Sequence, residues 1–124
     1  GNGWDARVEF PVEIEPLVRP YGLWTGNIFR GIVRRDGRAV PFATVEVAYY
    51  NTDHVSIPDD SFRCQVIKAD ANVVFAYAMP RAGWWGFAAL VDGVDKMPSP
   101  DGVPVAVELG GLMWVRTVDM VVAD

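Results

Sequence analysis

The sequence predicts an all-β protein, an immunoglobulin-like (prealbumin-like) antiparallel β-sandwich of about seven or eight strands. Gly and Pro recur at short intervals, and no segment between them keeps a helical period. The apolar segments are short and rich in Val, Ile, Phe, Tyr and Trp, which favour strands. With 124 residues, 51% hydrophobic and 22% charged, the chain suits one domain with its own core, spanning residues 1–124.

Alternating apolar and polar residues predict the first strands. Residues 12–15 alternate Val and Ile with Glu, and residues 27–35 alternate apolar or small residues with Arg. Asp36-Gly37 then forms the strongest two-residue turn signal in the chain. Residues 43–50 give the clearest strand. Its predicted core-facing residues are Ala43, Val45, Val47 and Tyr49.

The second half of the chain predicts further strands between two loops. Residues 51–61 are polar, carry Pro58 and form the longest predicted loop, and residues 92–103 form the second. The predicted strands here are 63–68, 73–78, 84–91, 105–109 and 112–118, with a bulge or kink at Gly110-Gly111. The predicted core contains Phe29, Val33, Val45, Val47, Phe75, Phe87 and one of Trp84 or Trp85.

Charge and cysteine content exclude several classes of function. The net charge of −5 and the pI near 4.7 argue against binding of nucleic acid, which needs a clustered basic surface. Cys64 is the one cysteine, so it forms no internal disulfide, and it is expected to be a small core residue. No apolar run is long enough to cross a bilayer, and we expect the chain to be a piece of a longer exported protein.

The sequence offers no catalytic motif, and the chain is therefore expected not to be an enzyme. The one histidine, His54, lies in the predicted loop at 51–61 without a nucleophile motif beside it. Neither the dinucleotide-binding glycine pattern nor a phosphate-binding loop is present.

Metal binding is the one chemical function that the loop residues favour. Asp53, His54, Asp59 and Asp60 lie close together in the sequence, and imidazole with carboxylates suits nickel, cobalt or zinc. Any divalent metal bound by this chain is expected here, through His54, and weakly. The spacing matches no standard ligand pattern, and acidic residues in a loop are also typical of a solvated surface.

Aromatic residues suggest a surface for a partner. Trp84 and Trp85 are adjacent on a predicted strand, so one enters the core and the other lies on the outer face. Tyr50 could extend the outer patch. The predicted partner surface therefore contains Trp84, Trp85 and Tyr50, because exposed tryptophan is common at the centres of interfaces.

Three segments carry a resemblance to a known family. They are RPYGLW (Arg19–Trp24), DGRAVPFATVEV (Asp36–Val47) and PRAGWWGFAAL (Pro80–Leu90). Through them the chain resembles the additional periplasmic components of energy-coupling-factor nickel or cobalt transporters, over about residues 3–118. The resemblance implies an extracytoplasmic, membrane-tethered domain that helps a membrane transporter to acquire nickel or cobalt.

A looser resemblance concerns the fold alone. The segments VPFATVEV (Val40–Val47) and KADANVVF (Lys68–Phe75) are similar to transthyretin-like and carboxypeptidase-regulatory-like sandwiches. In such domains a Gly often follows the Asp-x-Asn turn, where this chain has Val73 and Val74. We therefore expect the turn at Asp70–Asn72 to form differently.

Three hypotheses for the function follow. The first is an accessory domain for nickel or cobalt uptake, with no small-molecule substrate and at most a weakly bound divalent metal. The second is an interaction module that binds no metal and docks on a membrane protein through its aromatic surface. The third is a sugar-binding sandwich that uses aromatic platforms.

Overall fold

The computed structural model describes residues 3–4, 11–90, 96–98, 104–106 and 111–123. Within these ranges the chain is an all-β sandwich with one short 3₁₀ helix at Asp60–Phe62. The strands are β1 (Val12–Pro16), β2 (Leu23–Trp24), β3 (Ile28–Arg35), β4 (Arg38–Ala39), β5 (Thr44–Tyr49), β6 (Gln65–Lys68), β7 (Val74–Ala78), β8 (Gly83–Leu90), β9 (Lys96–Pro98), β10 (Pro104–Ala106) and β11 (Leu112–Val118). In these ranges no helix is long and apolar enough to span a bilayer.

The strands form two main sheets. One has four strands, with β3 between β1 on one side and β4 and β7 on the other. The second has five strands in the order β2-β11-β8-β5-β6. The described strand pairs are antiparallel, as predicted, except that β2 pairs with β11 in parallel. Strands β9 and β10 pair with each other in a separate two-stranded sheet.

The predicted turn at Asp36-Gly37 is confirmed. Both residues have positive φ, 51° and 82°, and Arg35 pairs with Arg38 across the turn. Two consecutive positive φ values define a type I′ turn, whose twist matches that of the flanking strands. The turn thereby fixes the register of β3 against β4.

The core lies between the two main sheets, and the predicted core is confirmed. Phe29 of the four-stranded sheet contacts Phe87 of the five-stranded sheet, with ring centroids 4.9 Å apart. Trp85 is the tryptophan that enters the core. The predicted residues Phe29, Val33, Val45, Val47, Phe75 and Phe87 are all buried.

Several predicted boundaries are corrected. Strands β2, β4 and β9 were not predicted, because two or three residues are too few to show a period. The strand predicted to begin at residue 63 begins at Gln65, after the 3₁₀ helix. Cys64 is only partly buried, and its thiol donates a hydrogen bond to the Glu46 carboxylate at 3.3 Å. Gly110 and the end of the predicted strand at 105–109 lie outside the described residues.

The turn before β7 uses side-chain hydrogen bonds in place of a glycine. The Asp70 carboxylate accepts hydrogen bonds from the backbone N–H groups of Asn72, at 2.8 Å, and Val74, at 3.1 Å. Val73 between them has φ of 66°, in the left-handed region that a β-branched residue rarely enters. A valine therefore holds the conformation that glycine usually holds.

Candidate functional site

The two adjacent tryptophans of strand β8 lie on opposite sides of the sheet. Trp85 is 6% exposed, while Trp84 is 45% exposed on the outer side of the five-stranded sheet. The Trp85 indole N–H donates a hydrogen bond to the Arg81 carbonyl at 3.0 Å, which satisfies its one polar group inside the protein. The prediction that Trp85 belongs to the partner surface is therefore wrong, because alternation along the strand turns it inward.

Trp84 lies in an aromatic group on the outer sheet face. Tyr50 and Trp114 are 59% and 47% exposed and meet edge to face, with centroids 6.2 Å apart. Together the three rings line a shallow depression of about 390 Å³. We call Tyr50, Trp84 and Trp114 the aromatic face.

Neighbouring strands support the aromatic face. Trp114 pairs with Gly86 of β8, and a β-carbon on Gly86 would lie 3.2 Å from the Trp114 ring. The Arg116 guanidinium stands over the Trp84 ring, 5.7 Å from its centroid, in a cation–π contact. Further exposed apolar side chains on the outer side of this sheet are Trp24, Val66, Leu112 and Val118.

The sequence prediction identified Tyr50 and Trp84 but missed Trp114. The signal was present in residues 112–118, where Trp114 and Arg116 alternate with residues that face the core. Alternation shows that Trp114 points outward. Only the pairing of β11 with β8 shows that it lies near Trp84 and Tyr50.

The acidic residues predicted as metal ligands have separate partners. Asp53 forms an ion pair with Arg81 at 3.3 Å, and Asp60 forms one with Arg63 at 2.9 Å. Asp59 caps the 3₁₀ helix by accepting the Ser61 backbone N–H at 2.9 Å, and the Ser61 hydroxyl also donates to it. These hydrogen bonds lower the pKa of Asp59.

His54 is exposed and has φ of 56° in a turn closed by its neighbours. The Asn51 side chain accepts the Val55 N–H at 2.8 Å and donates to the Val55 carbonyl at 3.0 Å. Among the described residues, no group of three or more His, Cys, Asp or Glu could hold a metal ion. The structure thus does not assemble His54, Asp53, Asp59 and Asp60 into one site.

A separate cleft of about 210 Å³ opens beside this loop. Its floor contains Val47 and Trp85, and its sides come from residues 51–63, from β7 and from residues 80–81. The rings of Tyr49 and Trp85 are 4.8 Å apart at their centroids, and those of Tyr77 and Trp85 are 5.8 Å apart. The sequence gives no signal for this cleft, because the residues that form its walls are distant from one another in the chain.

Hydrogen bonds order the polar groups of the cleft. The Tyr49 hydroxyl lies 3.0 Å from both the Asp53 carboxylate and the Ala82 carbonyl, and its single proton can be donated to one of them at a time. Desolvation, followed by the hydrogen bond with Asp53, raises the pKa of Tyr49. Desolvation also raises the pKa of Tyr77, whose hydroxyl donates to the Gln65 side chain. Hydrogen bonds with Tyr49 and Asp53 raise the pKa of Arg81, so its guanidinium stays charged.

The fold and these surfaces define an all-β sandwich domain with an aromatic outer face and a separate cleft. A family model, "Domain of unknown function (DUF4198)", matches residues 1–93, three quarters of the 124-residue chain. The chain therefore belongs to the DUF4198 family. No curated protein and no solved structure matches the chain.

Proposed function

We propose that this chain is a non-catalytic docking domain, located outside the cytoplasm, that binds a membrane component of a nickel or cobalt transporter. The observation that carries the docking role is the aromatic face, where Tyr50, Trp84 and Trp114 are all about half exposed on one side of one sheet. Aromatic side chains of this kind dominate the energy of protein interfaces.

The composition of the aromatic face favours a protein partner over a sugar. Sugar and small-molecule sites combine apolar walls with several convergent polar groups. The depression here is lined by three aromatic residues, Tyr50, Trp84 and Trp114. Arg116 beside Trp84 adds a cation at the rim, an arrangement typical of interface hot spots.

The identity of the partner rests on the resemblance carried by the segments at 19–24, 36–47 and 80–90. Since the carboxylates of the loop at 51–63 are engaged by Arg81, Arg63 and Ser61, we assign the metal step to the transporter. In this proposal the domain contributes by binding and positioning the membrane component.

The experiment measures binding of the chain to the detergent-solubilised transporter by biolayer interferometry. We expect the double variant Trp84→Ser/Trp114→Ser to lose about a hundredfold in affinity, as for a central pair of hot spots. Phe42→Ser is the matched control, because Phe42 is an exposed aromatic residue outside the aromatic face. It should bind like the parent chain.

Two results would contradict the proposal. One is equal affinity of the double variant and the parent for the transporter. The other is tight binding of the parent to protein-free anionic lipid vesicles that the double variant loses, which would make the aromatic face a membrane-binding surface. Nickel uptake by cells that carry the variants gives the functional readout, with uptake expected to fall only in the double variant.

A further inference from the structure

We propose that the cleft between the loop at 51–63 and β7 is a binding site for a small aromatic carboxylate. This site is separate from the aromatic face, since Trp84 and Trp85 lie on opposite sides of the five-stranded sheet. The inference therefore does not depend on the proposed docking function.

The inner half of the cleft suits an aromatic ring. The rings of Tyr49 and Tyr77 both pack against Trp85, which lies at the floor. The Trp85 indole N–H is already satisfied by the Arg81 carbonyl, so the ring offers an apolar surface of fixed orientation. Tilted contacts between rings at such distances are favourable beyond the area that they bury.

The outer half of the cleft carries two cations and suits an anion. Arg81 and Arg63 both line the cleft, whereas their carboxylate partners Asp53 and Asp60 do not. The Arg81 and Arg63 side chains are 53% and 67% exposed. Both arginines therefore belong to the lining of the cleft, and neither of the two carboxylates does.

Arg81 is the better placed of the two arginines. Its carbonyl accepts hydrogen bonds from Trp85 at 3.0 Å and from the Thr117 hydroxyl at 2.8 Å, which fix its backbone beside the aromatic floor. Its Nε and Nη2 both contact a single Asp53 oxygen at 3.3 Å. This contact is longer than a good charge-assisted hydrogen bond and is not the two-oxygen fork, so a ligand carboxylate can offer Arg81 a better geometry.

The size and rigidity of the cleft limit the ligand. A volume of about 210 Å³ is below the roughly 300–1,000 Å³ of sites for drug-sized molecules, so a single ring with one short acidic arm fits best. The wall at 51–55 is held by the paired hydrogen bonds of Asn51 with Val55. A wall ordered before binding lowers the entropic cost of binding.

The experiment is an NMR titration of the ¹⁵N-labelled chain with phenylacetate and, separately, with 2-phenylethanol, which has the same ring without the charge. We expect phenylacetate to shift the amides of Val47, Tyr49, Tyr77 and Trp85 and to bind about tenfold more tightly than 2-phenylethanol. Arg81→Gln should remove this preference. Arg30→Gln is the matched control, because Arg30 is an exposed arginine on β3, away from the cleft lining.

Two outcomes would overturn the inference. The first is the absence of shifts at the cleft residues with phenylacetate at millimolar concentration. The second is an equal preference for phenylacetate in Arg81→Gln and Arg30→Gln. The variant Trp84→Ser/Trp114→Ser should bind phenylacetate like the parent, so failure of the docking proposal and failure of this one are distinguishable.

Discussion

Gly31 and Phe75 are direct neighbours on the paired strands β3 and β7, and the Phe75 ring fills the space beside Gly31 where a side chain would stand. A β-carbon on Gly31 would lie 2.7 Å from the Phe75 ring and 3.2 Å from the Glu15 carbonyl oxygen. Gly86 and Trp114 repeat the arrangement on the outer side of the other sheet. In both pairs the aromatic ring occupies the space that a side chain on the glycine would need.

Gly31→Ala should destabilise the protein by about 1–3 kcal/mol, because the added methyl group overpacks a closed core. Phe75 is completely buried and cannot move away from it. The measurement is urea unfolding followed by far-UV circular dichroism. Gly86→Ala is the control: the half-exposed Trp114 ring can shift, so we expect a change of no more than about 0.5 kcal/mol. Equal losses in both variants would contradict this account.

Val73→Asn should stabilise the protein by about 0.5–1 kcal/mol. Val73 has φ of 66°, and Asn enters this left-handed region at much lower cost than a β-branched residue. Val74→Asn is the matched control, since Val74 lies in β7 and is expected to lose stability there. Thermal unfolding gives both values, and a lower midpoint for Val73→Asn would disprove the strain argument.

Tyr49 should make stability fall at alkaline pH. Its pKa in the folded protein is raised from 10.0, so the folded state holds the phenol proton more tightly than the unfolded state. The stabilisation is fully present below about pH 10 and is lost as the pH rises through the raised pKa. The free energy of unfolding, measured by urea on both sides of pH 10, should fall less in Tyr49→Phe.

Tyr77 contributes to the same alkaline loss, because desolvation raises its pKa as well. The double variant Tyr49→Phe/Tyr77→Phe should therefore show the smallest dependence of stability on pH. An alkaline slope identical to that of the parent chain would rule out these two phenols as its source.

The two adjacent tryptophans should differ sharply in their effect on stability. Trp85→Ala removes a buried ring and should cost about 3–5 kcal/mol. Trp84→Ala removes a half-exposed ring and its contact with Arg116 and should cost roughly 1 kcal/mol or less. Chemical unfolding of the two variants tests the difference. A larger loss of stability for Trp84→Ala than for Trp85→Ala would contradict the assignment of Trp85 to the core.

His54→Ala should leave the nickel affinity of this chain unchanged. Asp53, Asp59 and Asp60 each have a protein partner, and His54 is exposed in the turn at 51–55. Isothermal titration with nickel at neutral pH compares the affinities of the variant and the parent chain. A loss of about tenfold in nickel affinity in His54→Ala would show that the loop binds the metal through His54.

Much of the fold could be predicted because the alternation of a strand is visible in a few consecutive residues. The segments around Phe29 and Val45 alternate with period two, and a period of two decides which residues face the core. The Asp36-Gly37 turn was predictable for the same reason, since two adjacent residues determine its backbone. Strands of two or three residues, such as β2 and β4, carry no such signal.

The sequence by itself determined the all-β class, the core list and the placement of adjacent tryptophans on opposite sides of a strand. Only the tertiary structure decided that Trp85 faces inward, because the direction of a strand face depends on which sheet covers it. The tertiary structure also places Trp114 beside Tyr50. It pairs the Asp53 carboxylate with Arg81, which lies 28 residues further along the chain. Such contacts depend on strand pairing over long sequence separations, and short-range patterns of polarity do not encode them.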